Sequence, residues 1–419
     1  MPYYRRVGDV PPKRHTQFRQ PDGSLYAEEL IGQEGFSSDS SLLYHRHLPT
    51  AIVAAEAFSP PSWSRLPNRP LKPRHLRTGK LDRSGGDAVL GRAHLLANAD
   101  VRISYVVADR PSPLYRNAVG DECLYVQSGT ARVESTFGVL DIGPGDYVII
   151  PTSVIHRIVP DGSVHLLTIE ATGHIGPPKR YLSVRGQFLE HSPYSERDIR
   201  GPAAPLLRDG ADVEVLVQHN AAGGPTWTRH VYAHHPFDVV GWDGCLYPWA
   251  FSIRDFEPIT GRIHQPPPVH QTFQGPNFVI CSFVPRKVDY HPLAVPVPYN
   301  HHNVDSDEVM FYSAGDYEAR RGSGIEVGSI SLHPSGFTHG PQPGAPEQSL
   351  GAESFDELAV MVDTFRPLDL CEPALACEDT GYAWTWSGRP PGAGETGPGE
   401  TGPGETGPGE AGTGGTGTG

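Results

Sequence analysis

The sequence is poor in cysteine and lacks any long apolar run. Its five cysteines are scattered over 419 residues without a Cys-x-x-Cys pair, so the sequence indicates neither a disulfide framework nor a thiolate zinc site. No stretch approaches the roughly 18 apolar residues that a membrane span needs, and residues 1–15 contain no apolar segment of a secretory signal. We therefore expect a cytoplasmic protein with no membrane partner.

Positive charge is also scarce. There are 34 Lys and Arg residues against 48 Asp and Glu residues, and the formal net charge is -14. A protein that binds nucleic acid neutralises phosphates with a surplus of Lys and Arg on one face. We therefore expect no nucleic-acid partner.

Glycine and proline, in contrast, are abundant, with 48 and 43 residues. This turn-dense composition favours many short strands over a helical bundle. Apolar runs with a period of two begin near residues 101, 122, 131, 146 and 164, and a second group begins near residues 277, 308 and 329. The pattern predicts an all-β chain with two strand-rich units. Only residues 205–218 and the stretch near Glu347 are candidates for short helices.

Two short motifs in the second half of the chain are those by which cupin barrels are recognised, HxH(x3,4)E(x6)G and G(x5)PxG(x2)H. Residues 301–315 and 328–339 keep these spacings, except that Asn303 stands at the second histidine. The spacing has a physical reason, because alternate residues of a strand point to one face of a barrel and neighbouring strands bring the later residues to the same point. The motifs therefore predict a cupin, a double-stranded β-helix, in the C-terminal half.

The predicted metal ligands are His301, Glu308 and His339. Two imidazoles and a carboxylate form the facial triad that holds a non-haem Fe(II) and leaves coordination positions open, so we expect Fe(II) as the cofactor. Neighbouring residues of a strand face opposite sides, so His301 and His302 cannot both be ligands. A register shift by one residue would put His302 in place of His301, and the sequence leaves this alternative open.

The first half carries the same motifs in incomplete form. Tyr115 and Asn117 stand at the two histidine positions, while Glu122 and His156 are kept. Neither Tyr115 nor Asn117 easily replaces an imidazole ligand. We therefore expect an N-terminal barrel without a metal, in which Glu122 and His156 are interior polar groups with hydrogen-bond partners.

These patterns predict a bicupin in three parts. Residues 1–270 are predicted to form an N-terminal β-sandwich or degenerate cupin with connecting elements, and residues 271–390 the metal-binding cupin. Residues 391–419 repeat the unit ETGPG and contain no aromatic or branched aliphatic residue to bury. Such a segment cannot offset its own ordering entropy, so we expect a disordered tail.

Three ordered stretches go beyond a general cupin signal. The sequences that begin at residues 23, 238 and 296, the last of them PVPYNHHNVDSDEVMFYSAGDYEAR, resemble the homogentisate 1,2-dioxygenase family, and the similarity extends over about residues 20 to 370. The resemblance implies a cytoplasmic homo-oligomer that opens the ring of homogentisate with O2 to give maleylacetoacetate. It also implies that His301, Glu308 and His339 bind iron, that His270 handles the phenolic proton, and that Tyr317 and His339 contact the substrate.

Other interpretations remain open at this point. In one of them the substrate is another hydroquinone, such as gentisate. In the other the chain is a non-enzymatic bicupin that binds a ligand. His264 and His270 either belong to a functional site or only hydrogen-bond the backbone in a rigid proline-rich loop. Tyr317 either contacts the substrate or is an aromatic residue at the edge of the barrel. His333, within the second cupin motif, fits a residue that orients the ligands or a surface residue better than a ligand. Arg320 and Arg321 suit a substrate carboxylate, but a solvated pair at a strand end is the simpler interpretation.

Overall fold

The computed structural model describes residues 3–81, 85–222 and 224–388. The predicted tail, residues 391–419, lies outside these residues. Strands dominate the described chain, which has 26 of them. In chain order they are β1 Arg5–Gly8, β2 Ala27–Gly32, β3 Ser40–His45, β4 Ile52–Phe58, β5 Arg65–Leu66, β6 Arg74–Arg77, β7 Ala93–Ala97, β8 Val101–Ala108, β9 Leu114–Asn117, β10 Glu122–Ser135, β11 Gly138–Ile142, β12 Asp146–Ile150, β13 His156–Ala171, β14 Ile199–Arg200, β15 Val213–Ala221, β16 Gly224–Tyr232, β17 Val239–Gly244, β18 Trp249–Ser252, β19 Gln271–Gly275, β20 Phe278–Phe283, β21 Arg286–Lys287, β22 Asp307–Gly315, β23 Ser329–His333, β24 Ser354–Phe355, β25 Glu357–Thr364 and β26 Asp369–Cys371.

Helix is limited to two short α-helices in the described residues, α1 Ala345–Ser349 and α2 Glu372–Cys377, besides single 3-10 turns. The helix candidate near Glu347 is confirmed by α1. The candidate at residues 205–218 is wrong, because its second half lies in β15, which pairs with β16. Its alternating valines are stiff at χ1 and pack better on a pleated strand than on a helix. None of the described helices has the length and apolar character to cross a membrane.

The strands form two large sheets and two small ones. The 14-stranded sheet contains β10, β13 and β8 at its centre, the six-stranded sheet has the order β19-β20-β25-β22-β23-β6, and a four-stranded sheet has the order β1-β17-β3-β2. The runs predicted near residues 122 and 131 form one continuous strand, β10, whose pairing with β13 shifts register on both sides of Ser128. The all-β bicupin prediction is confirmed.

The two halves of the chain exchange strands. β6, from the first hundred residues, pairs with β23 at the edge of the C-terminal sheet, while β26 pairs with β7 and β5 of the 14-stranded sheet. Each sheet therefore includes a strand from the other half of the sequence. The predicted boundary at residue 270 stays a prediction.

Tyrosines with buried hydroxyl groups join the two sheets. The hydroxyl of Tyr125 donates to Ser313 Oγ at 2.8 Å, and the hydroxyl of Tyr147 lies 2.9 Å from Ser282 Oγ. A tyrosine buries a large ring, and its hydroxyl needs a partner inside the protein. Because Ser313 lies in β22, this packing fixes the strand that carries Glu308 against the N-terminal sheet.

Candidate metal centre

Strand pairing sets the position of Glu308. It is the second residue of β22 and lies opposite His333 of β23 on one side and Asp363 of β25 on the other. Directly opposite residues of neighbouring strands point to the same face of a sheet. Both neighbours of Glu308 therefore share its face, and the carboxylate is 4% exposed.

His301 and His339 come from two loops that pair with each other. The backbone N–H of His301 donates to the carbonyl of His339 at 2.8 Å, and the N–H of His339 donates to the carbonyl of His301 at 2.9 Å. Gly340, directly after His339, permits this close approach of the two loops, because a Cβ at this position would lie 2.7 Å from the Cα of Asn300. The double hydrogen bond holds the two imidazoles side by side, with ring centroids 4.3 Å apart.

The three predicted ligands converge on one point. One ligand atom from each of His301, Glu308 and His339 lies within 4.8 Å of the other two. Nε2 of His301 is 3.5 Å from Glu308 Oε2, and Nε2 of His339 is 3.3 Å from Glu308 Oε1. Donors bound at about 2.1 Å from one cation lie about 3 Å apart when they are neighbours in its coordination shell. The observed spacing is close to that arrangement.

The two imidazoles present their Nε2 atoms to the site. Nδ1 of His301 lies 3.2 Å from the carbonyl of Tyr299, and Nδ1 of His339 lies 3.3 Å from the carbonyl of Phe337. A proton on Nδ1 that is donated to a carbonyl leaves a lone pair on Nε2. Nε2 of His339 is buried and has no hydrogen-bond partner among the described residues. A buried polar atom without a partner is costly, so this donor set fits a cation.

His333 and Tyr382 hold the carboxylate in place. Nδ1 of His333 lies 2.9 Å from Glu308 Oε1, and its Nε2 lies 2.9 Å from the hydroxyl of Tyr382. Burial raises the pKa of Glu308, but the surrounding imidazoles of His301, His333 and His339 outweigh burial and bring the pKa well below its usual range. The carboxylate is thus ionised, as a metal ligand must be.

The alternative ligand His302 is not part of the cluster. Its side chain is exposed, whereas Glu308 and His339 are buried. The third motif residue, Asn303, has its amide nitrogen 3.5 Å from Glu308 Oε2, at the limit of a hydrogen bond. The geometry therefore favours His301 over His302 as the ligand.

A cavity of about 130 Å³ opens over the candidate ligands His301 and Glu308, and His270 lies in its wall. His270 ends the 3-10 turn Pro267–His270 and is 6% exposed. Its ring stacks on Phe283 with centroids 4.3 Å apart, and its Nδ1 has no hydrogen-bond partner among the described residues. Burial, and then the charge of Arg286, lowers the pKa of His270 to about 3. The imidazole is therefore neutral.

The cavity wall also contains Tyr317, His264 and Arg320, whereas Arg321 is exposed on the surface. Tyr317 is 8% exposed, and its ring packs edge-on against Tyr312 with centroids 4.8 Å apart. His264 lies 3.9 Å from Asp289. The structure thus brings the predicted residues His270 and Tyr317 to the same cavity as the predicted ligands His301 and Glu308. Their roles stay predictions.

Two family models match the chain. The model described as homogentisate 1,2-dioxygenase N-terminal matches residues 88–253, and the model described as homogentisate 1,2-dioxygenase C-terminal matches residues 266–390. The chain belongs to the homogentisate 1,2-dioxygenase family. The resemblance noted in the sequence is therefore confirmed.

Curated relatives agree with this assignment. A protein of Saccharolobus solfataricus that carries a provisional dioxygenase name is 38% identical over 390 residues, which are 92% of this chain and 99% of that protein. The homogentisate 1,2-dioxygenase of Nitrobacter hamburgensis is 29% identical and covers 71% of this chain and 68% of its own length. The homogentisate 1,2-dioxygenase of Emericella nidulans is 26% identical, over 58% of this chain and 55% of its own. The homogentisate dioxygenase family is one of oxidoreductases, and this member has the donor set of a metal-dependent dioxygenase.

In the N-terminal half of this homogentisate dioxygenase family member, an arginine lies at the incomplete motif. The guanidinium of Arg92 is 2.9 Å from Glu122 Oε2 and 3.1 Å from Glu170 Oε1. All three side chains are buried, and Asn117 Nδ2 donates to the other oxygen of Glu122 at 2.9 Å. The positively charged guanidinium of Arg92 thus lies beside the carboxylate of Glu122. The absence of a metal from this barrel stays a prediction.

The expected hydrogen bonding of the motif residues in this barrel is only partly correct. Glu122 has partners on both oxygens, as expected. His156 is fully buried, and its Nδ1 lies 3.1 Å from the carbonyl of Val154. Its Nε2, however, has no hydrogen-bond partner in the described part of the chain. The ring of Tyr115, which stands at the first histidine position of the motif, packs edge-on against the imidazole of His156.

Sequence reasoning missed one contributor to the metal centre, Tyr382, and left His333 open between an orienting role and a surface position. The pairing of β22 with β23 places His333 opposite Glu308 and favours the orienting role. Tyr382 lies 43 residues beyond the last ligand, His339. No local pattern connects it to the site.

Proposed function

We propose that the chain is an Fe(II)-dependent ring-cleaving dioxygenase that converts homogentisate and O2 to maleylacetoacetate, a step in tyrosine and phenylalanine breakdown. The observation that carries the proposal is the convergence of His301, Glu308 and His339 at a cavity that His301 and Glu308 line. Membership of the homogentisate 1,2-dioxygenase family supports the choice of substrate and metal. Both oxygen atoms of O2 enter the product.

The three ligands would hold Fe(II) on one side and leave its other positions facing the cavity. When bound, the metal would supply charge stabilisation and a common site for the two reactants. The chain's own contribution is to keep the ligands ready. His333 and Tyr382 fix the carboxylate, and two backbone carbonyls fix the imidazoles, so that little reorganisation is needed when the metal and the substrate bind.

His270 is proposed as the proton acceptor. A phenol that loses its proton becomes an electron-rich hydroxylate, so the reaction needs a base beside the ring. His270 lies in the cavity wall, and its Nδ1 has no other partner among the described residues. Since burial keeps the imidazole neutral, one ring nitrogen carries a lone pair that can accept a hydrogen bond from the phenol.

Tyr317 is proposed to contact the bound substrate, and His339 to contact it as well as the metal. The hydroxyl of Tyr317 lies 3.5 Å from the carbonyl of Leu358, at the limit of a hydrogen bond. It is therefore available for a stronger bond to a ligand. We also propose that the enzyme is cytoplasmic and forms a homo-oligomer. Sedimentation of the purified protein would test the oligomeric state.

Oxygen uptake by the Fe(II)-loaded protein tests the function. The protein is stripped of metal, loaded with Fe(II) without oxygen, and then mixed with aerated homogentisate or gentisate. We expect O2 consumption with homogentisate at one O2 per substrate, and an ultraviolet absorbance change on ring opening. Consumption with gentisate alone would point to the other hydroquinone. A protein that binds no iron, or binds it and consumes no O2 with either compound, would contradict the proposal.

A further inference from the structure

Two adjacent arginines near the cavity differ in their partners. Arg321 is exposed and forms ion pairs with Asp316 at 3.3 Å and Glu318 at 2.7 Å. Arg320 forms no ion pair with a carboxylate of the described residues. It donates to two neutral groups, from Nη1 to the carbonyl of Gly340 at 2.6 Å and from Nε to the hydroxyl of Tyr312 at 3.2 Å.

Arg320 lies in the wall of the cavity that holds the metal ligands. A guanidinium that is largely removed from water and has no counter-ion is costly, because neutral acceptors offset only part of its lost hydration. The cavity wall therefore carries a guanidinium that has no carboxylate of the described residues within ion-pair distance.

The other cations of the cavity are less suited to bind an anion. The guanidinium of Arg286 is already paired with Glu357, with Nη2 2.7 Å from Oε1. The side chain of Lys287 is exposed and well hydrated. Arg320, in contrast, is partly buried in the cavity wall and has no carboxylate partner among the described residues. The planar shape of its guanidinium matches that of a carboxylate. Its partner Tyr312 also packs against Tyr317, so Arg320 is connected to the proposed substrate contact.

We propose that Arg320 binds the carboxylate of the substrate and thereby selects hydroquinones that carry an acidic side chain. This inference rests on the proposed function, because it assumes that a hydroquinone occupies the cavity. His301, Glu308 and His339 would hold the metal that binds the ring hydroxylate, and Arg320 would hold the side-chain carboxylate at the other end of the substrate. Two fixed points orient the ring relative to His270.

Binding to the Fe(II)-loaded protein without oxygen tests this inference separately from turnover. Calorimetry compares homogentisate with its uncharged amide, 2,5-dihydroxyphenylacetamide, which has the same ring and a similar size. The wild type is expected to prefer the acid. Arg320→Met is expected to weaken binding of the acid by about 10- to 100-fold, the usual effect of losing a charged hydrogen bond. Its affinity for the amide should change little, so that the preference is lost.

Two variants control for effects on folding. Arg321→Met removes the neighbouring exposed arginine and is expected to keep the preference for the acid. Arg320→Lys keeps the charge without the fork of donors and should keep part of the preference. If Arg320→Met does not fold, the acid preference of Arg320→Lys still tests the inference. In the steady state with O2, Arg320→Met should raise KM for homogentisate more than it lowers kcat.

Several outcomes would overturn the inference. They are a wild type that binds the amide as tightly as the acid, an Arg320→Met protein that keeps the preference, and loss of the preference in Arg286→Met instead. Acid binding that depends on Arg320 without O2 consumption would contradict the proposed function and support the anion site. Turnover of homogentisate with an unchanged preference in Arg320→Met would support the proposed function and contradict the anion site.

Discussion

The imidazole of His333 and the carboxylate of Glu308 lie directly opposite each other on neighbouring strands, with Nδ1 2.9 Å from Oε1. His333 is fully buried and its other nitrogen contacts Tyr382. The carboxylate thus has a fixed orientation before any cation binds. Groups that orient metal ligands in this way contribute to metal affinity without touching the metal.

Replacing His333 should therefore weaken metal binding. We expect His333→Ala to bind Fe(II) about 10- to 100-fold more weakly than the wild type, because Glu308 loses its fixed orientation. Equilibrium dialysis with Fe(II) in the absence of oxygen measures the change. His94→Ala is the control, since that histidine hydrogen-bonds Ser104 in the other sheet and should leave the affinity unaltered. Equal Fe(II) affinity in His333→Ala and the wild type would refute the positioning role.

His270→Ala should lose turnover and keep its metal. Removal of a positioned base costs about 100- to 10,000-fold in rate, whereas the three ligands do not involve this side chain. Stopped-flow O2 uptake and iron analysis on the same sample measure both quantities. His264→Ala, which changes a second histidine of the same cavity wall, should lose much less activity. Unchanged turnover in His270→Ala would rule out His270 as the base.

The buried His75 should make the protein sensitive to acid. It is fully buried, and burial lowers its pKa to about 4 despite the nearby charge of Asp379. In the unfolded chain the imidazole titrates near its ordinary value of about 6.5. Between these two pKa values the unfolded state binds a proton that the folded state does not, so stability falls as the pH is lowered from about 6.5 toward 4.

Urea unfolding at pH 7 and pH 5 measures this effect. The drop in free energy of unfolding between the two pH values should be smaller in His75→Gln than in the wild type, because that variant has one proton fewer to take up. His302→Gln, at an exposed histidine, should show the wild-type drop. The same drop in all three proteins would show that His75 does not contribute.

Arg92 should stabilise the fold without affecting the metal centre. Arg92→Met leaves the buried carboxylates of Glu122 and Glu170 without this partner. Breaking a buried pair in this way typically costs about 3 to 5 kcal/mol. Urea unfolding of the metal-free protein measures the loss, and Arg229→Met, at an exposed arginine paired with Glu56, serves as the control. A loss in Arg92→Met no larger than in the control would mean that the pair does not stabilise the fold.

The sequence predicted the ligands because their spacing follows directly from strand geometry. His301, Glu308 and His339 lie near one another along the chain, so the local alternation of side chains and one hairpin-like pairing fix their convergence. The strand exchange of β6 and β26 could not be predicted in this way, since pairing between distant segments leaves no local periodicity. The same limit applies to Tyr382, and to Arg92, whose two carboxylate partners come from other strands. The misread segment at 205–218 shows that a short apolar run is ambiguous between helix and strand.

The central claim is that His301, Glu308 and His339 bind one catalytic metal, and iron stoichiometry tests it most directly. Metal-free wild type, His301→Ala, Glu308→Ala, His339→Ala and His302→Ala are each titrated with Fe(II) without oxygen. We predict one Fe(II) per chain in the wild type and in His302→Ala, and a large loss of affinity in the other three. Full binding in His301→Ala together with loss in His302→Ala, or no Fe(II) binding by the wild type, would contradict the account.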